Sequence, residues 1–166
     1  QGLAGIFGDL GSVRGCGFDD VPFRPFDLII NATSAGLTGS MQKITPFLWF
    51  DDRIEEAVSL YVSVFPDARI VCTSRYGPGA PRPAGTVMSM TFELRGQEFM
   101  ALNGGPLFQF TPAVSFVVKC ETQAEVDRLW DRLAEGGGRH MDCGWLVDRY
   151  GLSWQIVPTI LDDIMF

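Results

Sequence analysis

The side chains best suited to hold a small molecule in this 166-residue chain are aromatic rings interleaved with amides and hydroxyls. Phe47, Trp49, Asn103, Phe108, Ser115, Trp145 and Gln155 make up that set. Aromatic faces stack on planar molecules and an amide fixes their orientation, so the set suits a planar, moderately polar ligand. Core packing is the competing role for each of the rings. Phe47 and Trp49 stand two apart in one apolar run, which puts both on the same face of a strand. Nucleophilic or acid–base chemistry has less support. Cys72, Cys120 and Cys143 lie in or beside strands and read as inert thiols. Asp51-Asp52, Asp148 and Asp162-Asp163 read as caps, turns and tail. His140 is the only histidine, and its place after a glycine run reads as surface.

The elements that must position these residues come as a repeat. Thr45 to Phe50 is a short apolar strand, and Asp52 with Glu55 has the spacing of a capping box. Ile54, Ala57, Val58, Tyr61 and Phe65 then form the stripe of an amphipathic helix that Pro66 ends. Strands follow at 68–74, 86–94 and 98–102, the last two joined by a turn at Arg95-Gly96-Gln97. Thr111-Pro112 reopens the pattern. A strand over 113–119 leads to a capping box at Thr122 and Glu125. Val126, Leu129, Trp130 and Leu133 make a second helical stripe, stopped at Gly136-Gly137-Gly138. Three further strands are expected near 139–142, 144–147 and 152–157. Each half reads as strand, helix, then three strands, which predicts an α+β protein.

The formal charge of −7 argues against nucleic acid or an anionic membrane as partner, because either needs a basic patch. No apolar run is long enough to span a bilayer. Four cysteines at irregular spacings suit reduced thiols and a cytoplasmic location. Residues 1–40 stand apart: the chain starts with Gln1, and Gly39-Ser40-Met41 reads as a join before a natural start. Within them Asp27-Leu28-Ile29-Ile30-Asn31-Ala32-Thr33-Ser34-Ala35-Gly36-Leu37 resembles an internal piece of shikimate dehydrogenase, a resemblance reaching over residues 3–38. The Gly-rich phosphate turn of a dinucleotide fold is missing, as is that enzyme's substrate domain. The segment is therefore read as an artificial or mis-joined appendage without function. A nicotinamide-dependent dehydrogenase is the least favoured reading of the chain.

Residues 42–162 resemble PhnB-like proteins of the vicinal oxygen chelate superfamily, which includes glyoxalases, bleomycin-resistance proteins and extradiol dioxygenases. The residues that carry the resemblance are Phe47-Leu48-Trp49-Phe50, Glu56-Ala57 with Tyr61, Phe65-Pro66, and Phe110 to Phe116. Its most specific part is Cys143-Gly144-Trp145-Leu146 with Asp148, Tyr150-Gly151 and Ser153-Trp154-Gln155-Ile156-Val157-Pro158. The resemblance implies two β-α-β-β-β modules, near 43–105 and 110–160, in one domain over 41–166. Their curved mixed sheets would surround a cup, with helices on the outside. It implies pairing as a homodimer, which also suits the unpaired sheet edges. Metal-dependent members hold a divalent ion on inward-facing strands. Here the corresponding positions are Thr45, Ala113 and Gln155, which predicts no metal site and no cofactor. Gln155 at an inward position turns Trp154 the other way, under a helix.

The PhnB-like group is widely labelled 3-demethylubiquinone-9 3-methyltransferase. Methyl transfer from S-adenosylmethionine usually uses a Gly-rich turn and an acidic residue holding the ribose, whereas Gly104-Gly105-Pro106 and Gly136-Gly137-Gly138 read as a loop and a cap. The expected function is therefore binding of a small aromatic or quinone-like metabolite in a metal-free cup. The alternative is an enzyme of the superfamily (lyase, dioxygenase or the labelled methyltransferase) with a non-standard site around His140, Gln155 and Glu93 or Glu98.

Overall fold

The chain divides into two units, Gln1–Gly39 and Ser40–Phe166, and the computed structural model describes residues 44–161 of the second. The expectations for residues 1–40 and for Asp162-Asp163 lie outside the described residues. Strand β1 (Phe47–Phe50) leads into helix α1 (Ile54–Val64), then β2 (Arg69–Arg75), β3 (Val87–Leu94) and β4 (Gln97–Asn103). The second module repeats this as β5 (Ser115–Cys120), α2 (Gln123–Ala134), β6 (Arg139–His140), β7 (Trp145–Val147) and β8 (Ser153–Pro158). The strand orders are β1-β4-β3-β2 and β5-β8-β7-β6, the same path twice. In each sheet the first strand pairs in parallel with the last, and the remaining pairs are antiparallel. The doubled α+β architecture read from the repeat is the one observed.

Local rules explain most boundaries. Arg95 and Gly96 both take positive φ (50° and 79°), so Leu94 and Gln97 face each other across a two-residue hairpin. Thr122 caps α2 as expected: its hydroxyl accepts from the Glu125 N–H at 3.2 Å, and the Glu125 carboxylate accepts from the Glu121 N–H at 3.0 Å. The capping box expected at Asp52 is not formed. Arg53 occupies the cap position without a side-chain capping bond. The Ile54 N–H instead donates to Asn103 Oδ1 at 3.1 Å, while Asn103 Nδ2 donates to the Val87 carbonyl at 2.9 Å. A side chain from the end of β4 thus satisfies the helix start, a partner 49 residues away that local spacing cannot reveal.

Alternation then assigns the two faces of each sheet. Leu48 and Phe50 of β1 are buried while Phe47 and Trp49 are not. Phe92 and Phe99 turn to the same buried side, against Tyr61 of α1 and each other. In the second sheet Trp154 is 2% exposed and Gln155 half-buried, as the adjacency argument requires. These helix-bearing faces meet in one core. Phe99 of β4 contacts Phe116 of β5 edge-on at 5.1 Å. Trp154 of β8 lies 5.3 Å from Tyr61 and 5.6 Å from Phe65, both from the first module. The opposite, open faces of the two sheets lie outside this shared core.

A buried carboxylate ties the modules together. Asp148, 3% exposed, accepts from the Tyr61 hydroxyl (2.7 Å), Trp154 Nε1 (2.9 Å), and the Tyr150 and Leu152 N–H groups (2.9 and 3.0 Å). Burial pushes its pKa above the usual carboxylate value although all four bonds pull it down. Burial beside Asp148 also pushes the Tyr61 hydroxyl well up, so it stays a donor. Asp148→Asn turns an amide N–H₂ toward two donors, and urea unfolding should show a loss of about 3 kcal/mol. A raised native pKa means the native state holds this proton more tightly than the unfolded chain. The stability difference, wild type minus Asp148→Asn, should therefore fall as pH rises from the ordinary carboxylate range through the raised value.

Candidate functional site

The seven expected site residues separate into three places. Asn103 is 3% exposed, and its amide is taken up by Ile54 and Val87. It positions the start of α1, a role that the sequence expectation did not include. Phe47 and Trp49 lie on the open face of the first sheet, in the rows Phe47–Met100–Thr91 and Trp49–Leu102–Ser89. Ser115, Trp145 and Gln155 lie on the open face of the second sheet, with Trp145 directly across from Gln155.

Trp49 is held by three contacts. Its indole N–H donates to the Gly105 carbonyl at 2.9 Å, and Phe108 meets the ring edge-on at 5.2 Å. The indole also lies across Gly104 so closely that a Cβ there would stand 2.2 Å from the ring. Only glycine leaves room for it. Trp49 and Phe108 are therefore brought together, and both line a cavity of about 300 Å3 with Asp51, Asp52, Phe110, Arg149 and Tyr150. A second hollow, about 440 Å3, runs beside β5 over Phe65, Phe99, Phe116 and Trp154, with Arg95 and Lys119 among its polar residues. Ser115 is the expected site residue that reaches it.

On the second sheet Gln155 Nε2 donates to Ser115 Oγ at 2.7 Å. That bond leaves the Ser115 hydroxyl proton, the Gln155 carbonyl and one amide hydrogen for a ligand. The cluster is neutral, with Trp145 and Val117 flanking Gln155 across the neighbouring strands.

Three tests of other chemistry follow from the geometry. His140 stacks on Trp130 at 4.4 Å, with Nε2 3.0 Å from the Trp130 carbonyl. It pairs with Leu146, which pairs with Trp154, so it lies on the helix side of the sheet whose open side carries Gln155. Glu93 is on the first sheet, ion-paired to Arg69 at 2.7 Å. The non-standard metal set of His140, Gln155 and Glu93 or Glu98 is thus not assembled. Among the described residues no three His, Cys, Asp or Glu side chains group to hold a metal. Thr45, Ala113 and Gln155 do not fit a divalent cation, since one neutral amide is a poor donor set. The Gly104 and Gly105 N–H groups donate to the Phe50 and Asp51 carbonyls at 2.8 and 2.9 Å, so they extend the β1–β4 pairing rather than cradle a phosphate.

Sequence reasoning missed two features. Asp148 reads as a turn residue from its neighbours, and it does begin that turn, yet its carboxylate is buried. The second is a cluster at the mouth of the smaller cavity, where the Arg53 and Arg149 guanidiniums both approach the Tyr150 ring, at 5.1 and 5.0 Å. Arg53 is bound to Glu56 at 2.6 Å, and that bond holds the Glu56 carboxyl below its usual pKa. The Asp148-Arg149-Tyr150-Gly151 stretch was the available signal, but the partners come from α1 and the β1–α1 turn.

Comparison with known proteins agrees with this architecture. The family described as 3-demethylubiquinone-9 3-methyltransferase matches residues 42–157. The structure of a putative 3-demethylubiquinone-9 3-methyltransferase, PhnB protein, from Bacillus cereus is 43% identical, with a TM-score of 0.66 over 71% of this chain and all of that one. Two others share the fold at low identity. A Pseudomonas aeruginosa protein is 24% identical (TM-score 0.58, 70% of this chain and 97% of that one). The genomically encoded fosfomycin resistance protein FosX from Listeria monocytogenes is 14% identical (TM-score 0.55, 81% and 99%). A separate likeness is short: 35 residues are 63% identical to the shikimate dehydrogenase (NADP(+)) of Methylococcus capsulatus, 21% of this chain but 12% of that enzyme. The chain belongs to the 3-demethylubiquinone-9 3-methyltransferase family, the PhnB-like branch of the vicinal oxygen chelate fold.

Proposed function

We propose that the protein binds a small, uncharged aromatic or quinone-like metabolite on the open face of its second sheet, without a metal ion. The observation that carries this reading is the Gln155–Ser115 bond of 2.7 Å beside Trp145. It offers one acceptor and two donors with no charge, which matches the oxygens of a quinone, quinol or phenol. An indole beside them supplies a stacking surface. The edge strands of two open sheets are free to pair, and we place a homodimer in this reading. The free thiols Cys72 and Cys143, both exposed, fit a reducing cytoplasm. A catalytic role is the second reading, favoured by the methyltransferase named in the family's description.

Titration with catechol, 1-naphthol and a short-chain ubiquinone, followed by tryptophan fluorescence, tests the binding. At least one should bind. Gln155→Leu should weaken it about ten-fold, the effect of one lost polar contact in a partly buried site. A chelator should leave the affinity unchanged. Silence from all three compounds, or an unaltered Gln155→Leu titration, ends the proposal. Light scattering on the eluting protein should give twice the chain mass. A monomer at micromolar concentration would remove the homodimer.

A further inference from the structure

The 300 Å3 cavity at the module junction has a chemistry of its own, independent of the neutral face on the second sheet. Its aromatic wall is rigid. Trp49 is pressed on Gly104 and hydrogen-bonded to Gly105, Phe108 meets its edge, and Phe110 is packed against Phe50 at 4.9 Å. Its charges come from two different elements. Arg149, from the β7–β8 turn, uses Nε to donate to the Tyr150 hydroxyl at 2.9 Å and makes no ion pair among the described residues. Glu56 lies within electrostatic reach of Arg149 but is bound to Arg53. Asp51 and Asp52, from the turn between β1 and α1, are exposed and likewise make no ion pair among the described residues. Arg53 lines the cavity too, beside Asp52, but is bound to Glu56, so Arg149 is the lining cation without an ion pair among the described residues, and charges of both signs share one space with aromatic rings.

We infer that this cavity binds a small zwitterion with an aromatic body, of the chemical class of an aromatic amino acid. The ligand's carboxylate would meet Arg149, its ammonium Asp51 and Asp52 together, and its ring Trp49, Phe108 and Phe110. A simple aromatic anion would face the two aspartates and a simple aromatic amine would face the guanidinium. The cavity thus selects the molecule that carries both charges. Its volume is at the lower end of small-molecule pockets, which suits a ligand the size of one amino acid.

Calorimetric titration of the full chain with L-phenylalanine, 3-phenylpropionate and 2-phenylethylamine is the test. Phenylalanine should bind at least about ten-fold more tightly than either singly charged analogue. Asp52→Asn, an exposed substitution, should weaken phenylalanine about ten-fold and leave phenylpropionate no weaker. Arg149→Gln should remove the preference for phenylalanine over phenylethylamine. Should it lower the melting temperature, because Arg149 also abuts Gly136 at the end of α2, the Asp52→Asn result decides alone. Arg69→Gln, on β2, controls for total charge. Equal affinity for the three compounds overturns the inference. So does binding of none, indifference to Asp52→Asn, or an Arg69→Gln effect as large as that of Arg149→Gln.

Discussion

A buried carboxylate is costly unless donors surround it, and the packing of this domain is organised around meeting that requirement at Asp148. Two donors are backbone groups of its own turn, and Trp154 Nε1 comes from β8. The fourth is the Tyr61 hydroxyl, 87 residues away on the first module's helix. Only when α1 lies against the second sheet is Asp148 fully served. Apolar contacts alone would let the two modules slide, because dispersion has little directional preference. A short hydrogen bond to a fixed carboxylate specifies one arrangement.

That arrangement decides which surfaces remain for function. Tyr61 and Phe65 reach across to Trp154, and Phe99 to Phe116, so the helix-bearing faces are consumed in one core. What each sheet has left is its other face: Phe47 and Trp49 on one, Ser115, Trp145 and Gln155 on the other. These sets differ in character. The first is aromatic and adjoins a cavity lined by charges of both signs, whereas the second presents a neutral amide and hydroxyl. One chain thus offers two unlike surfaces.

Much of this was legible from local pattern. The repeat predicts the doubled module because hydrophobic periodicity switches from 2 to 3.6 at matching places in both halves. The Trp154–Gln155 opposition follows from strand geometry alone. The Thr122 cap is legible because its partners are three residues apart. What local pattern could not show are the contacts whose partners are distant in sequence. Asp52 and Glu55 have the same spacing as Thr122 and Glu125, yet Asn103 takes the role, since β4 ends beneath the first turn of α1. The burial of Asp148 and Asn103 escapes local pattern for the same reason: the donors and acceptors that satisfy them include partners far along the chain. His140 was placed at the surface correctly, but its stacking on Trp130 depends on the register of β6 against β7.

The end of β4 shows how tightly scaffold and site are joined. Phe50 pairs with Asn103 in the parallel β1–β4 ladder, and the chain then continues into Gly104 and Gly105. Asn103 turns to the helix side and satisfies the first N–H of α1. Gly104, the next residue, lies under the Trp49 indole, and the Gly105 carbonyl accepts that indole's proton. Three consecutive residues therefore set the start of a helix and the seat of an aromatic wall. A one-residue slip of β1 against β4 would put Trp49 on the core side and Phe50 on the open face. The amide bond to Ile54 and the close seat on Gly104 both oppose that slip, so the cavity wall inherits its precision from the same register that fixes the core.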